Sequence, residues 1–300
     1  MTPRARREAL EGYLGILPWL IGLVAFTGGP ILASGVLSLT QWDIVSTPRW
    51  AGLDNYVELF TKDPLFWQSL KVTLQYVVLA VPLQIMFGVL LALLLNLPVK
   101  GIRVLRTLFY VPAVLSGVAV ALMWMWVLQP DYGAVNSALA LAGITQGPGW
   151  FWDPFWALPS VVLMSLWRSG ATNAVIYLAG LQNISPHLYE AARVDGANAW
   201  RRFWAITLPL LTPTIFFQLV TGLIDAFQVF AEVYVITQGG PLRATFFYML
   251  YLFQNGFQDF HMGYASALAW VLIVITMGVS LVVFKTSQRW VYYEADAERT

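Results

Sequence analysis

Six long apolar runs, nearly free of charge, constrain this chain more than any other feature. They cover residues 13–39, 72–97, 107–128, 154–181, about 213–236 and 263–284. A helix needs about 20 mostly apolar residues to cross the hydrocarbon core of a bilayer, and each run supplies them. The runs are too long for β-strands and do not alternate in polarity with period two. Only 11% of the residues are Asp, Glu, Lys or Arg, against about 25% in soluble domains. Such a chain cannot cover an aqueous surface. The net charge is +1, with no basic stripe, which excludes a nucleic-acid binder. Cysteine is absent, so disulfides and thiolate chemistry are excluded as well. The expected fold is an all-α integral membrane protein with six transmembrane helices over 13–284, preceded by a segment 1–12 and followed by a tail 285–300.

Pro18, Pro30, Pro82, Pro112 and Pro159 interrupt the spans, which buried membrane helices tolerate because neighbours re-satisfy the freed backbone groups. The first run follows Arg4, Arg6 and Arg7 but is about twice as long as a signal-peptide core, and is read as a retained span. With both termini on one side, that side holds twelve of the 17 basic residues. They are Arg4, Arg6, Arg7, Lys100, Arg103, Arg106, Arg193, Arg201, Arg202, Lys285, Arg289 and Arg299. The positive-inside rule then makes both termini cytoplasmic. The opposite side, roughly 41–70, 130–153 and 237–262, carries Trp42, Trp50, Tyr56, Trp67, Tyr132, Trp150 and Trp152. These aromatics suit an interface belt or a partner surface.

The loop between the fourth and fifth spans, about 182–208, is the most informative stretch. Ser185-Pro186 is an N-cap followed by Pro at the first helical position, 189–194 are good helix formers, and Gly196 can end the helix with positive φ. Leu188, Ala191 and Ala192, with Asp195 one turn on, share a face at helical spacing. The pattern fits either a docking helix or a helix lying on the membrane.

Glu190-Ala191-Ala192, three residues, Gly196, nine residues, then Ile206 and Leu208-Pro209 resemble the EAA signature of the membrane subunits of binding-protein-dependent ABC importers. Further stretches are similar to the carbohydrate-uptake branch related to the maltose transporter permeases: Gly52-Leu53-Asp54-Asn55-Tyr56, Thr237-Gln238-Gly239-Gly240-Pro241 and Met262-Gly263-Tyr264-Ala265-Ser266-Ala267. The resemblance covers essentially the whole chain, without the extra N-terminal helices and large external insertion of the maltose subunit itself. It implies a type I ABC importer permease fold in a prokaryotic inner membrane. It also implies an EAA helix docked in a cleft of a separate ATPase, with Glu190 as polar anchor. Ala191, Ala192, Gly196 and Ala197 would allow close approach beside Asp195 and Phe203, and Arg193, Arg201 and Arg202 would meet acidic residues at the rim. The implied partners are a second related permease, two ATP-binding subunits, an external binding protein and a sugar. ATP and Mg would be held by the partner ATPase, for none of the four lysines follows a glycine as a P-loop requires. No cofactor, metal site or catalytic constellation is visible in the chain; His187 and His261 fall on opposite sides of the membrane.

A charge at the bilayer centre costs about 2.5–3.5 kcal/mol on insertion scales and is retained where it faces a cavity or a partner. Ser165, Arg168, Ser169 and Thr172 lie on one helical face of the fourth span. Gln218, Gly222, Asp225, Val229 and Glu232 lie on one face of the fifth. The two stripes read as two walls of a water-accessible path. The resemblance places substrate contacts in these two helices, with Asp225, Ala226 and Val229 the best-aligned positions in the fifth. Arg supplies a fork of donors and Asp two acceptors, which suits a polyol, and Trp124 and Phe227 are planar enough to stack on a sugar ring. A structural Arg168–Asp225 ion pair accounts for the same two residues, and Glu232 is placed near the external end. The competing readings are an importer for glycerol phosphate or another polyol derivative, and an ATP-independent proton-coupled carrier.

Overall fold

The computed structural model describes residues 3–292, with side chains described from residue 11 onward. The basic residues Arg4, Arg6, Arg7 and Arg299 therefore lie outside the described side chains. The helices run α1 Pro3–Leu23, α2 Gly29–Leu37, α3 Asp54–Thr61, α4 Pro64–Leu95, α5 Ile102–Val114, α6 Gly117–Val127, α7 Ala134–Leu141, α8 Ala157–Gln182, α9 Pro186–Val194, α10 Ala199–Arg202, α11 Leu208–Phe227, α12 Ala231–Ile236, α13 Tyr248–Phe253 and α14 Met262–Ser287. One two-residue ladder pairs Thr40 with Trp50 and Gln41 with Arg49.

Among the described residues, four helical stretches are long and apolar enough to cross a membrane: Glu11–Leu37, Pro64–Leu95, Ala199–Ile236 and Met262–Ser287. The expected third span is corrected in shape. It is two helices, α5 and α6, bent by 103° at a short break. Leu115 is extended, and the Ser116 hydroxyl caps α6 by accepting from the Ala119 N–H at 3.3 Å. Helix α8 has 26 residues, about 39 Å at 1.5 Å per residue, so it is long enough to cross. Ser160, Ser165, Arg168, Ser169, Thr172 and Asn173 make it the least apolar of the six.

Two prolines leave the same mark. A π-turn at Val24–Gly28 precedes Pro30, and another at Phe203–Thr207 precedes Pro209. A proline has no N–H to give to the carbonyl four residues back, so the turn before it widens.

The chain forms two compact units. One combines the segment up to Asp63 with Leu252–Ile273. Here the end of the first span is tied down by Asn55, which is buried and donates to the carbonyls of Ser38 and Thr40 at 2.8 and 2.9 Å. Tyr56 donates to the Ser38 hydroxyl at 2.8 Å, and Tyr264 to Asp63 at 2.5 Å. Gly263 lies so close to this segment that a Cβ would fall 1.9 Å from the Thr40 carbonyl oxygen. The Gly52–Tyr56 and Met262–Ala267 stretches thus owe their composition to one local junction.

The other unit combines Pro64–Tyr251 with the segment from Val274. Helices α4, α8 and α11 form its core. Small residues let the backbones approach: Gly88 packs on Asn173 and Tyr177, Gly170 on Phe87, and Gly180 on Leu211 and Thr214. Close approach of this kind, rather than hydrophobic burial, drives helix association in lipid. Val89, Ala92, Tyr177, Leu178, Leu181, Ile184 and Leu211 fill one end. The Thr237–Pro241 stretch folds on itself, with Gly239 at φ +91° beneath Phe246 and Leu250 and the buried Thr245 hydroxyl donating to the Gly240 carbonyl at 2.6 Å. Trp150 is also drawn into its own loop, donating to Asn136 at 2.7 Å, whereas Trp67 and Tyr132 stay exposed.

Candidate functional site

The two polar stripes line a single cavity of about 680 Å³, within the usual range for small-molecule sites. From α8 come Ser165, Arg168, Ser169, Thr172 and Asn173; from α11 come Gln218, Gly222, Asp225 and Ala226. Val229 and Glu232 line it too, although the helix drawn through them in the sequence is interrupted. Helix α11 ends at Phe227, Gln228 and Phe230 form a break, and α12 starts at Ala231. Both residues remain on the cavity wall despite the break.

Three expectations are corrected. Trp124 does not line the cavity; it packs edge-on against Trp167, with ring centroids 6.0 Å apart. Phe227 is buried at 1% exposure and does not line it either. The intramembrane ion pair joins Arg168 to Glu232, not to Asp225. Glu232 is thereby a wall residue with a 15% exposed side chain, while the Arg168 side chain remains 44% exposed. The first residue of α6, Gly117, lies against this pair, so that a Cβ there would fall 2.8 Å from the Glu232 Oε1 and 3.6 Å from an Arg168 guanidinium nitrogen.

Helix α4 adds lining residues that the stripes alone do not indicate. Gln84 donates to the Ser165 hydroxyl at 3.2 Å, and Tyr76 stands on the same wall. On the far side Gln218 donates to the Asn173 side-chain oxygen at 2.6 Å. Each amide keeps further donors or acceptors that these bonds leave unused. The apolar run of the second span holds two glutamines, Gln75 and Gln84, and only packing shows that Gln84 is the one on the cavity. The result is a cavity edged with hydroxyls, amides, two carboxyls and one guanidinium. It can exchange hydrogen bonds with a polyhydroxylated solute on several sides.

The loop helix is where the sequence places it. Helix α9 starts at Pro186 with Ser185 at the N-cap, though the Ser185 hydroxyl makes no capping bond. It ends in a Schellman motif: Gly196 has φ +75°, its N–H meets the Arg193 carbonyl at 3.1 Å, and the Ala197 N–H meets the Ala192 carbonyl at 2.8 Å. Asn198 then caps α10 by accepting from the Arg201 N–H at 2.8 Å. The inner side of α9 is fixed by Tyr189, which packs on the Leu178–Leu211 cluster and bonds the Thr207 hydroxyl at 3.0 Å. Glu190, Ala191, Arg193, Asp195 and Gly196 are exposed, as are Val194 and Trp200 at 89% and 69%. Ala192, Ala197, Arg202 and Phe203 are half-buried. Val194 on α9 and Trp200 on α10 thus leave apolar surface uncovered beside the charged residues.

A family model described as binding-protein-dependent transport system inner membrane component matches residues 84–291. The chain is 48% identical over 296 residues to the probable ABC transporter permease protein YesP of Bacillus subtilis (strain 168), covering 98% of this chain and 95% of that protein. It is 35% identical over 280 residues to the lactose transport system permease protein LacF of Rhizobium radiobacter, covering 92% and 93% respectively. A chain in the crystal structure of a bacterial ABC transporter that imports the acidic polysaccharide alginate superposes with a TM-score of 0.83 at 27% identity, covering 95% of this chain and 98% of that one.

Proposed function

This chain belongs to the family of binding-protein-dependent transport system inner membrane components, and from that premise we propose that its cavity is the path of a saccharide driven across the membrane by a partner ATPase. One observation carries the reading: polar residues from α4, α8, α11 and α12 converge on one cavity, where intramembrane charge is costly and so marks function. The contacts assigned to the saccharide are Ser165, Arg168, Ser169, Thr172, Asp225, Ala226 and Val229, with Gln84 and Gln218 added.

The exposed α9 surface is assigned to the ATPase. Glu190, Ala191, Asp195 and Gly196 present the contact face, Ala192 and Ala197 set how closely a partner approaches, and Arg202 and Phe203 support it. ATP and Mg are bound by that partner, which performs the hydrolysis. The assembly comprises this chain, a second permease, two ATPase subunits and an external binding protein that delivers the sugar. Both termini are cytoplasmic, on the side where the basic residues cluster. Closure of the ATPase pair moves the docked α9 helices, and the membrane halves rock between inward- and outward-open forms.

The test is co-purification from detergent-solubilised native membranes. Wild type is expected to bring down an ATPase, and Glu190→Lys with Gly196→Trp to lose it while remaining inserted. Wild type without an ATPase under gentle conditions overturns the reading.

A further inference from the structure

The reading of the cavity as a saccharide path leaves open which saccharides it passes, and the Arg168–Glu232 pair bears on this. The charged side chains lining the cavity are one guanidinium, Arg168, and two carboxyls, Asp225 and Glu232. A guanidinium at the wall of a low-dielectric cavity is the natural holder of a carboxylate or phosphate, because its planar fork matches such groups. Here that partner is supplied from within the chain. Glu232 reaches Arg168 from the first turn of α12, across a separation of 64 residues. Two further features fix its position. It stands in the first turn after the break, on the cavity wall, and Gly117 at the start of α6 leaves room for its carboxyl where a Cβ would meet it at 2.8 Å. The N-terminus of α6 adds a partial positive charge on the same side. The arrangement is an anion site already filled by its own carboxylate.

We infer that Glu232 is a selectivity residue: it occupies Arg168 so that the path accepts uncharged saccharides and turns away those bearing a carboxylate or phosphate. A uronate or sugar phosphate entering the cavity meets the two carboxyls of Asp225 and Glu232 against one guanidinium, one of whose nitrogens Glu232 already holds. A neutral sugar needs only hydroxyl contacts. The remaining Arg168 donors, the Asp225 carboxyl and the amides of Gln84 and Gln218 offer them. Specificity can be built by an opposed like charge as well as by optimised contacts.

The test uses the complex purified with its ATPase, so that absence of an ATPase speaks against the proposed function and not against this inference. Galactobiose and digalacturonate serve as matched neutral and anionic probes, with thermal stabilisation of the complex measured at constant ionic strength. Wild type is expected to respond to galactobiose and not to digalacturonate. Glu232→Gln should bind digalacturonate at least about tenfold more tightly than wild type, the worth of one charge-assisted hydrogen bond, and Arg168→Gln added to it should remove the gain. Saturable stabilisation of the wild type by digalacturonate overturns the inference, as does a Glu232→Gln complex that gains nothing. If Glu232→Gln fails to assemble, Glu232→Met replaces it, and the wild-type arm decides independently of both.

Discussion

Gly263 shows how a single position is fixed by geometry. A Cβ there would fall 1.9 Å from a backbone oxygen of Thr40, and backbone cannot step aside as a side chain can. Gly263→Ala is therefore expected to destabilise by about 1–3 kcal/mol, as overpacking does, and to lower the thermal midpoint in detergent. Gly278→Ala, whose Cβ meets nothing within 4 Å, should leave that midpoint unchanged and serves as the control. An equal drop in both variants would contradict the account. Much of the site was legible residue by residue. Ser165, Arg168, Ser169 and Thr172 share a face because α8 is one uninterrupted helix through them, so periodicity alone grouped them correctly. Trp124 was misplaced because its aromatic character says nothing about which neighbour it packs on. The alternative of an Arg168–Asp225 pair is not what forms: Asp225 and Glu232 both lie on the fifth span, and tertiary packing brings Glu232 to Arg168.

Element limits are legible in the sequence where capping chemistry punctuates them and hidden where it does not. Helix α9 carries Ser-Pro at its start and Gly at its end, and its limits followed from those residues. The right-angle break between α5 and α6 left no mark in hydropathy, since Leu115 and Ser116 sit in a run that is apolar on both sides. Pro112 did not locate it either, for it lies inside α5 and the break comes later. For α9 the consequence is measurable. A β-branched residue at Gly196 must hold φ near +75°, which costs about 1–2 kcal/mol for an L-residue. Gly196→Val should therefore disrupt the Schellman turn and reduce ATPase co-purification. Asn198→Ala removes the cap of α10, worth about 1 kcal/mol, and should weaken co-purification less. If Gly196→Val retains the ATPase as well as wild type does, the turn is not what presents the docking face.

Across the whole molecule, the membrane class followed from the apolar runs, and the meeting of the two polar stripes followed only from tertiary packing. Helices α4, α8 and α11 approach closely through glycines and alanines, and this brings polar residues that are distant in sequence around one volume. The most direct measurement fills that volume from a glycine on its own wall, leaving its polar side chains in place. Gly222 lines the cavity, and a Cβ there meets only the Val81 Cγ1, at 3.9 Å. ATP-driven saccharide uptake should be compared between wild-type and Gly222→Trp complexes in proteoliposomes, with ATPase co-purification as the check on assembly. The account predicts that Gly222→Trp assembles with the ATPase and that its uptake falls to background. A fully assembled Gly222→Trp complex that transports at the wild-type rate would contradict it, because the solute would then cross by another route.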